Sequence, residues 1–253
     1  MKANVIILFS LLSNAVVAAG EAVTYQSDGV TYEGYYNSPA REASGEAPLV
    51  LMIHDWDGLT EYEQTRADML TEEGYAVFAM DLFGKGVRPT RPEDRKQHTG
   101  ELYADRKKMR SIMQAAIKAA AAQGAKTDNA VAMGYCFGGA AVLELARSGV
   151  DLKGFVSFHG GLATPSDQNY DKVKAPLLIL HGTADTAIPM SEFAGLAVEL
   201  ENAGAEHEMI TYGGAPHAFT VFGTERYKKD ADMKSWRRLG EFLSTQTGFI
   251  PFE

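Results

Sequence analysis

Cysteine is nearly absent from this chain of 253 residues, which contains only one. A single cysteine cannot form an internal disulfide, and it cannot supply the several thiolates of a structural zinc site. Basic residues are also scarce, because 24 lysines and arginines face 33 aspartates and glutamates, for a formal net charge of −9. Such a surface repels phosphate groups, so the composition argues against nucleic acid as a partner.

The N-terminal residues 1–20 have the layout of a secretory signal peptide. Lys2 supplies a positive charge, residues 5–17 are almost wholly apolar, and residues 18–20 are the small residues Ala-Ala-Gly. The apolar run is about 13 residues long, short of the roughly 20 that span a membrane. An uncleaved anchor and a buried helix are the alternatives. We expect export to the periplasm or the medium, and a mature chain, residues 21–253, without a stable membrane anchor.

Strand-like and helix-like segments alternate along the mature chain without a repeat period, which predicts an α/β fold with a mostly parallel sheet and helices on both faces. Residues 49–53 are a continuous apolar run, as expected of a strand buried on both faces. The predicted strands are residues 23–26, 30–36, 49–53, 75–83, 130–133, 155–158, 177–180 and 207–212, and the predicted helices are residues 61–73, 105–123, 140–148, 190–203 and 225–247. No domain boundary stands out, so residues 21–253 are predicted to form one domain.

The main irregular stretch is Gly84–Gly100, which is rich in glycine, proline and charge. It follows a predicted central strand, and loops in that position line the ligand sites of open α/β sheets. The sequence leaves two interpretations open, a solvated loop and the wall or lid of a pocket.

The chemistry centres on residues 134–139, Gly-Tyr-Cys-Phe-Gly-Gly, which follow an apolar strand and precede a predicted helix. This is the nucleophile-elbow pattern with cysteine as nucleophile, a sharp turn that leaves room only for small residues two positions before and after it. The helix N-terminus favours negative charge and should lower the thiol pKa, and the backbone N–H of Phe137 can stabilise an oxyanion. A merely buried cysteine would not explain both Gly134 and Gly138. We therefore predict Cys136 as the nucleophile.

A thiol nucleophile needs a base, and the base needs an acid that orients it. His217 follows the last predicted strand and Asp185 follows the strand before it, so the chain order is that of α/β-hydrolases. His181 is predicted to be structural, and His159 is predicted to be structural or to border the pocket. His54 could belong to the core or to the site. His98 and His207 are predicted to lie at the surface. No histidine pair has metal-ligand spacing, so we predict no metal and no other cofactor.

Taken together, these landmarks resemble the dienelactone hydrolase family of α/β-hydrolases, from about Tyr32 to the end of the chain. They are residues 134–139, 181–185 (His-Gly-Thr-Ala-Asp), 215–219 (Ala-Pro-His-Ala-Phe), 54–58 (His-Asp-Trp-Asp-Gly) and 81–86 (Asp-Leu-Phe-Gly-Lys-Gly). The resemblance implies that Cys136 attacks an ester or lactone carbonyl to form an acyl-enzyme. It further implies that His217 acts as base and then acid, oriented by Asp185. The backbone N–H of Trp56 would complete the oxyanion hole.

Two positions depart from the family pattern. The family has a glutamate after the first central strand, where this chain has Asp55; the resemblance implies that this carboxylate keeps the resting thiol neutral until substrate displaces it. Because its side chain is shorter, Asp55 could instead only orient a turn. Arginines that hold a substrate carboxylate are expected at two places, where this chain has Val221 and the pair Gly84 and Lys85. Lys85 is therefore the predicted substrate-binding cation, and a broader ester or lactone is as good a substrate as a dienelactone.

The sequence-based conclusion is an exported, cysteine-dependent hydrolase that acts on a small ester or lactone and functions as a monomer. The main alternative is a non-catalytic exported binding protein with the same fold, against which the intact set of Cys136, Asp185 and His217 argues. A thiol redox protein is disfavoured because the chain has no resolving cysteine and no Cys-x-x-Cys motif.

Overall fold

The structure is a computed structural model that describes residues 19–39 and 47–251. These residues contain eight strands and six helices, joined by loops. The strands are β1 (Glu21–Ser27), β2 (Val30–Asn37), β3 (Pro48–Ile53), β4 (Ala76–Met80), β5 (Lys126–Tyr135), β6 (Gly154–Phe158), β7 (Leu177–Gly182) and β8 (His207–Tyr212). The helices are α1 (Glu61–Glu72), α2 (Pro92–Ala104), α3 (Arg106–Ala122), α4 (Phe137–Arg147), α5 (Met190–Asn202) and α6 (Lys229–Thr247). Nearly all of the predicted signal peptide lies outside the described residues.

All eight strands form one sheet in the order β1-β2-β4-β3-β5-β6-β7-β8. Strands β3 to β8 pair in parallel, whereas the β1–β2 hairpin adds an antiparallel edge through β2 and β4. The mostly parallel sheet that the sequence predicts is confirmed. Because β3 and β5 are central, the loops at their carboxyl ends meet in the middle of the sheet edge, where ligands bind in this class of fold.

Helices cover both faces of the sheet, as predicted. Along β3 the side chains alternate between two cores, so that Leu51 faces the helices α3, α4 and α5 while Val50 and Met52 face α1 and α6. This alternation is the ordinary period of two of a strand, and burial on both faces explains why the whole strand is apolar. No helix among residues 19–39 and 47–251 is long and apolar enough to cross a membrane.

A buried ion cluster ties α4 to α3. The carboxylate of Glu144 is fully buried and accepts from three arginines, Arg106 and Arg110 of α3 at 3.1 and 2.6 Å and Arg147 of α4 at 2.9 Å. Charge-assisted hydrogen bonds of this kind fix geometry as well as charge. The cluster therefore holds in place the helix whose first residue, Phe137, borders the predicted nucleophile.

Two differences from the predicted elements bear on the candidate site. About half of the stretch Gly84–Gly100 is helical, because α2 runs from Pro92 to Ala104. Proline has no backbone N–H, but the first turn of a helix does not need one. This helix buries only Thr99 and Leu102, so it gives no apolar period in the sequence. The terminal helix begins at Lys229 rather than at residue 225, which leaves a longer loop after β8.

Candidate active site

Cys136 occupies a strained turn between β5 and α4. Its φ of 50° and ψ of −112° lie outside the regions that side chains normally adopt. The flanking glycines are required by close approach, since an ideal Cβ on Gly138 would lie 2.6 Å from the carbonyl oxygen of His54 and even nearer to that of Ile53. A Cβ on Gly134 would likewise overlap the main chain of Gly138. The nucleophile-elbow geometry that the sequence predicts is therefore present.

The structure brings Cys136, His217 and Asp185 together in the predicted order. The Sγ of Cys136 lies 3.1 Å from Nε2 of His217, and Nδ1 of His217 lies 2.8 Å from Oδ2 of Asp185. Each side chain follows a different parallel strand, namely β5, β7 or β8, at its carboxyl end. A base within hydrogen-bond reach of a thiol, itself oriented by a carboxylate, is the arrangement that nucleophilic catalysis needs.

Asp185 is held in its ionised form. Its Oδ1 accepts from the backbone N–H groups of Ala187 and Ile188 at 2.8 and 2.9 Å, while its Oδ2 faces His217. Burial alone would raise the pKa of Asp185, but the hydrogen bonds from His217 and the two N–H groups outweigh it and lower that pKa below its ordinary value. With the proton of His217 on Nδ1, the lone pair of Nε2 is left facing the sulfur.

The thiol of Cys136 is neutral at rest. The helix N-terminus was expected to lower its pKa, but burial raises the pKa of this thiol well above its ordinary value, and the carboxyl group of Asp55 raises it further. The backbone N–H of Phe137 opposes this shift only in part. Removing the thiol proton would therefore need a nearby base, and Nε2 of His217 lies within reach at 3.1 Å.

Cys136 and His217 open onto a cavity of about 300 Å³. Its remaining lining residues are Asp55, Trp56, Thr99, Tyr103, Phe137, Gly161, Ala187, Ile188, Ala218 and Arg226. Trp56 follows β3, and Phe137 begins α4 directly after Cys136. The two residues predicted for the oxyanion hole therefore come from different parts of the chain, and both border this cavity. Mostly apolar walls with a few polar groups are typical of a small-molecule site.

Asp55 lies at the cavity within a group of three carboxyl groups. Its Oδ1 accepts from the N–H of Asp57 at 3.0 Å, and its own N–H donates to Oε1 of Glu63 at 3.3 Å. Burial, then the side chain of Asp57 and the charge of Glu63, raise the pKa of Asp55 to about 9, and burial raises the pKa of Glu63 to about 7. Asp55 is therefore a neutral hydrogen-bonding group near pH 7.

The same three carboxyl groups are the residues that could hold a metal ion in the described part of the chain, because their oxygen atoms lie within 4.8 Å of one another. Both oxygens of Glu63 already accept hydrogen bonds, one from Asp55 N–H and the other from the N–H and hydroxyl of Thr60 at 2.8 Å. Glu63 thus forms a capping box with Thr60 at the start of α1. Asp57 in turn lies 3.5 Å from the guanidinium of Arg95, so each of the three carboxyl groups already has a partner within the protein.

Lys85 is not part of this cavity, contrary to the prediction that it binds substrate. Its Nζ lies 2.7 Å from Oε2 of Glu33, and its side chain is 53% exposed. The cation that does line the cavity is Arg226, an exposed residue in the loop between β8 and α6. Sequence reasoning missed Arg226 because it started the terminal helix at residue 225, which placed this arginine on a helix surface.

Helix α2 also contributes to the site. Thr99 and Tyr103 line the cavity, and the ring of Tyr103 lies 5.4 Å from that of Phe137. Of the two interpretations left open for Gly84–Gly100, the pocket wall is the one the structure supports. Tyr103 itself lies just beyond that stretch and was not singled out.

Most of the other histidines are held by hydrogen bonds. His54 is fully buried between the carbonyl of Asp55 at 2.6 Å and the N–H of Leu82 at 3.0 Å, and is structural. His181 lies 3.0 Å from the carbonyl of Ile188 and thereby braces the turn that presents Asp185. The predicted surface residues are each partly buried, His98 against Phe83 and His207 near Glu201 at 3.7 Å.

Comparison with known proteins identifies the family of the chain. The model of the dienelactone hydrolase family matches residues 32–247. The chain belongs to the dienelactone hydrolase family. The family is hydrolytic, so the protein is an enzyme of the hydrolase class, and the resemblance drawn from the sequence motifs is confirmed.

Individual dienelactone hydrolase relatives match nearly the whole chain. A protein from Synechocystis sp. that is assigned as a carboxymethylenebutenolidase is 25% identical over 245 residues, which cover 88% of this chain and 96% of the relative. A solved structure named m3DLH aligns with a TM-score of 0.83 and 27% identity, and covers 90% of this chain and 98% of that one. A dienelactone hydrolase-like promiscuous phosphotriesterase from metagenomic libraries aligns with a TM-score of 0.79 and 26% identity over 90% and 98% of the chains. The α/β-hydrolase fold is confirmed.

Proposed function

We propose that this enzyme hydrolyses small carboxylic esters or lactones through an acyl-enzyme on Cys136. The observation that carries the proposal is the row of two short contacts at the cavity, 3.1 Å from Cys136 Sγ to His217 Nε2 and 2.8 Å from His217 Nδ1 to Asp185 Oδ2. The cavity beside this row has the size of a small organic molecule and ends at the sulfur. Dienelactone hydrolase-like chemistry therefore has a nucleophile, a base and an orienting acid in this chain.

In the first half of the reaction, His217 Nε2 takes the thiol proton as Cys136 Sγ bonds to the substrate carbonyl carbon. The carbonyl oxygen becomes an oxyanion, which the backbone N–H groups of Phe137 and Trp56 stabilise. When this intermediate collapses, the carbon–oxygen bond to the alcohol breaks, and His217 returns the proton to the departing oxygen. Asp185 stabilises the imidazolium that exists between the two proton transfers.

In the second half, a water molecule gives a proton to His217 and attacks the thioester carbonyl. The carbon–sulfur bond then breaks, the acid is released, and the proton returns to the thiolate of Cys136. A lactone follows the same two halves, except that the alcohol stays attached to the acyl group. The neutral resting thiol suits this cycle, because the proton moves only when substrate is in place.

Asp55 is proposed to modulate the thiol. Burial is the largest cause of the raised thiol pKa, and Asp55 adds to it. With a pKa of about 9, Asp55 carries its charge chiefly in alkaline solution. Alkylation of Cys136 by iodoacetamide should therefore be slow at neutral pH and faster in Asp55→Asn, with the larger gain above pH 9. Equal alkylation rates in the wild type and Asp55→Asn at every pH would indicate that Asp55 only orients the turn.

Arg226 gives a modest preference for anionic substrates. It lines the cavity, and in the described part of the chain it has no hydrogen bond or ion pair, so its guanidinium is available to a carboxylate. The relative from Synechocystis is named for a lactone substrate, and a structural neighbour is named for phosphotriesters. A substrate panel should therefore contain neutral p-nitrophenyl esters, an acidic lactone and one aryl phosphotriester.

The decisive experiment is hydrolysis of this panel by the purified mature enzyme and three variants. Cys136→Ala and His217→Ala should each remove nearly all turnover, and the double variant should be little worse than either, because the two groups act as a unit. Asp185→Asn should retain more activity than either. If Cys136→Ala keeps more than roughly a tenth of the activity, the nucleophile assignment is wrong. Binding of the panel without turnover would instead favour the non-catalytic binding protein.

We also propose that the enzyme is exported as a monomer after cleavage near residue 20. The support is the sequence of residues 1–20, with its positive start, apolar run and small residues before Glu21. N-terminal sequencing of the protein from the periplasmic fraction should begin at Ala19, Gly20 or Glu21, and light scattering should give a mass below the 27.4 kDa of the full chain. Recovery of intact Met1 in the membrane fraction would indicate the uncleaved anchor.

A further inference from the structure

His159 lies beside the nucleophile and is not one of the residues that line the cavity. It follows β6, its side chain is fully buried, and its Nδ1 accepts a hydrogen bond from the backbone N–H of Cys136 at 3.2 Å. Its Nε2 lies 2.8 Å from the hydroxyl of Thr220. Both ring nitrogens therefore have partners, and the two partners belong to different parts of the site.

These partners fix the protonation state of His159. A backbone N–H can only donate, so Nδ1 must be unprotonated, and the single proton of the neutral ring is on Nε2. Nε2–H then donates to the hydroxyl of Thr220, and the Thr220 hydroxyl proton is free to point to the hydroxyl of Tyr62 at 2.8 Å. Burial, followed by the neighbouring His217, lowers the pKa of His159 well below its ordinary value, which agrees with a neutral ring.

Thr220 belongs to the loop that carries His217, three residues further along. Its side chain is fully buried, and its carbonyl accepts from the guanidinium of Arg66 on α1 at 2.8 Å. The ring of His159 also contacts the ring of His217, with 5.3 Å between the centroids. One side of His159 is thus hydrogen-bonded to the turn of the nucleophile, and the other side to the loop that carries His217.

Backbone strain is concentrated where this connection lies. Among the described residues, four that are not glycine have a positive φ, and three of them are Cys136 at 50°, His159 at 39° and Ala218 at 61°, beside His217. Strained residues persist only where their surroundings hold them. The N–H of Cys136 keeps a second acceptor, the carbonyl of Phe158 at 3.0 Å, so the turn itself does not depend on His159.

We propose that His159 is a positioning residue that bridges the Cys136 turn and the Thr220 end of the His217 loop, and so sets the distance from sulfur to base. The proposal rests on the proposed function for its kinetic consequences. Because the turn keeps its bond to Phe158, loss of the bridge should slacken the alignment of Sγ and Nε2 and leave the fold intact. A small shift of the reacting atoms lowers the rate of the chemical step much more than it weakens substrate binding.

The test compares variants at both ends of the bridge. His159→Leu removes both hydrogen bonds, Thr220→Val removes only the one at the loop, and Thr220→Ser keeps the hydroxyl. We expect His159→Leu and Thr220→Val to lower kcat about 10- to 100-fold with KM changed less than about threefold. The double variant should be no slower than the slower single variant, since one bridge is lost once. Thr220→Ser should restore most of kcat.

Tyr62→Phe is the matched control. It removes the hydrogen bond that the Thr220 hydroxyl makes on its far side and leaves the one to His159 in place. Its thermal stability should fall like that of Thr220→Val, but its kcat should stay within about threefold of the wild type. If Thr220→Val behaves like Tyr62→Phe, or if the losses of the two bridge variants multiply, His159 is only structural.

Alkylation of Cys136 by iodoacetamide separates this proposal from the proposed function, because it needs no substrate. If alkylation is assisted by an aligned His217, then His217→Ala, His159→Leu and Thr220→Val should all slow it at pH 7 by several-fold, and Tyr62→Phe should not. A wild-type enzyme that hydrolyses nothing but shows this pattern would refute the hydrolytic function and support the bridge. Unchanged alkylation in both bridge variants would refute the bridge, whatever the enzyme hydrolyses.

Discussion

Adding one methyl group at Gly138 should damage both stability and rate. An ideal Cβ there would lie 2.6 Å from the carbonyl oxygen of His54 and would overlap that of Ile53. These neighbours are main-chain atoms at the end of the central strand β3, so they cannot rotate away as a side chain could. The start of α4 must therefore move by several tenths of an ångström, and overpacking of this kind costs about 1–3 kcal/mol. At about 2–4 °C per kcal/mol, the midpoint of thermal unfolding should fall by roughly 2–12 °C.

The same movement displaces the proposed oxyanion donor. The N–H of Phe137 stands next to Gly138, and catalytic geometry that shifts by a fraction of an ångström loses about tenfold in rate. We therefore expect Gly138→Ala to lower kcat for a neutral p-nitrophenyl ester about tenfold or more, with a smaller change in KM. Thermal unfolding followed by circular dichroism and steady-state hydrolysis on the same preparation measure the two effects.

Gly240→Ala is the matched control, because it makes the same chemical change in another helix. Gly240 lies within α6, and a Cβ there would meet no atom within 4 Å. Alanine is favoured over glycine inside a helix by roughly 0.5–1 kcal/mol, so this variant should be slightly more stable than the wild type and fully active. If Gly138→Ala unfolds within about 1 °C of the wild type and keeps its kcat, the close approach at the elbow has been misjudged.

Three further predictions follow from charges. Glu144→Gln removes the buried carboxylate that compensates Arg147 and two other arginines, and it should lower the free energy of unfolding by about 3 kcal/mol in urea. Arg226→Ala should raise KM for an acidic lactone and leave that of a neutral ester unchanged, whereas Lys85→Ala should affect neither; the reverse result would restore Lys85 as the binding cation. Asp55 has a folded pKa of about 9, above the roughly 4 of an unfolded aspartate, so the folded state binds more protons between these values and stability should fall as pH rises through them. Asp55→Asn should lose this slope, so a difference in melting temperature from wild type that does not grow between pH 5 and pH 9 would contradict the raised pKa.

Local patterns allowed the residues that meet in the candidate site to be predicted from the sequence. The glycines around Cys136 are visible because the elbow excludes side chains at fixed offsets, and His217 and Asp185 follow strands whose order is set by the parallel topology. Buried strands such as β3 were equally visible, since burial on both faces leaves no polar position. Each of these signals depends on only a few neighbouring residues.

Features that depend on tertiary packing could not be predicted in the same way. Helix α2 buries too few side chains to show a period, and the placement of Arg226 at the cavity depends on how the loop after β8 folds. The carboxyl cluster did leave a signal that was missed, because Thr60 and Glu63 have the spacing of a capping box. That spacing turns Glu63 back toward the chain before α1, where Asp55 lies.

The two aspartates at the cavity show why residue type alone does not assign a role. Asp185 accepts from two backbone N–H groups and His217, so its negative charge is matched and its pKa is lowered. Asp55 accepts from one backbone N–H and is buried beside two further carboxyl groups, so its pKa is raised. An ionised Asp55 at the cavity would oppose both the thiolate and the oxyanion of the proposed reaction, whereas a neutral Asp55 opposes neither. In the proposed mechanism the two aspartates therefore serve different purposes, because Asp185 orients the base with its charge while Asp55 stays neutral near pH 7.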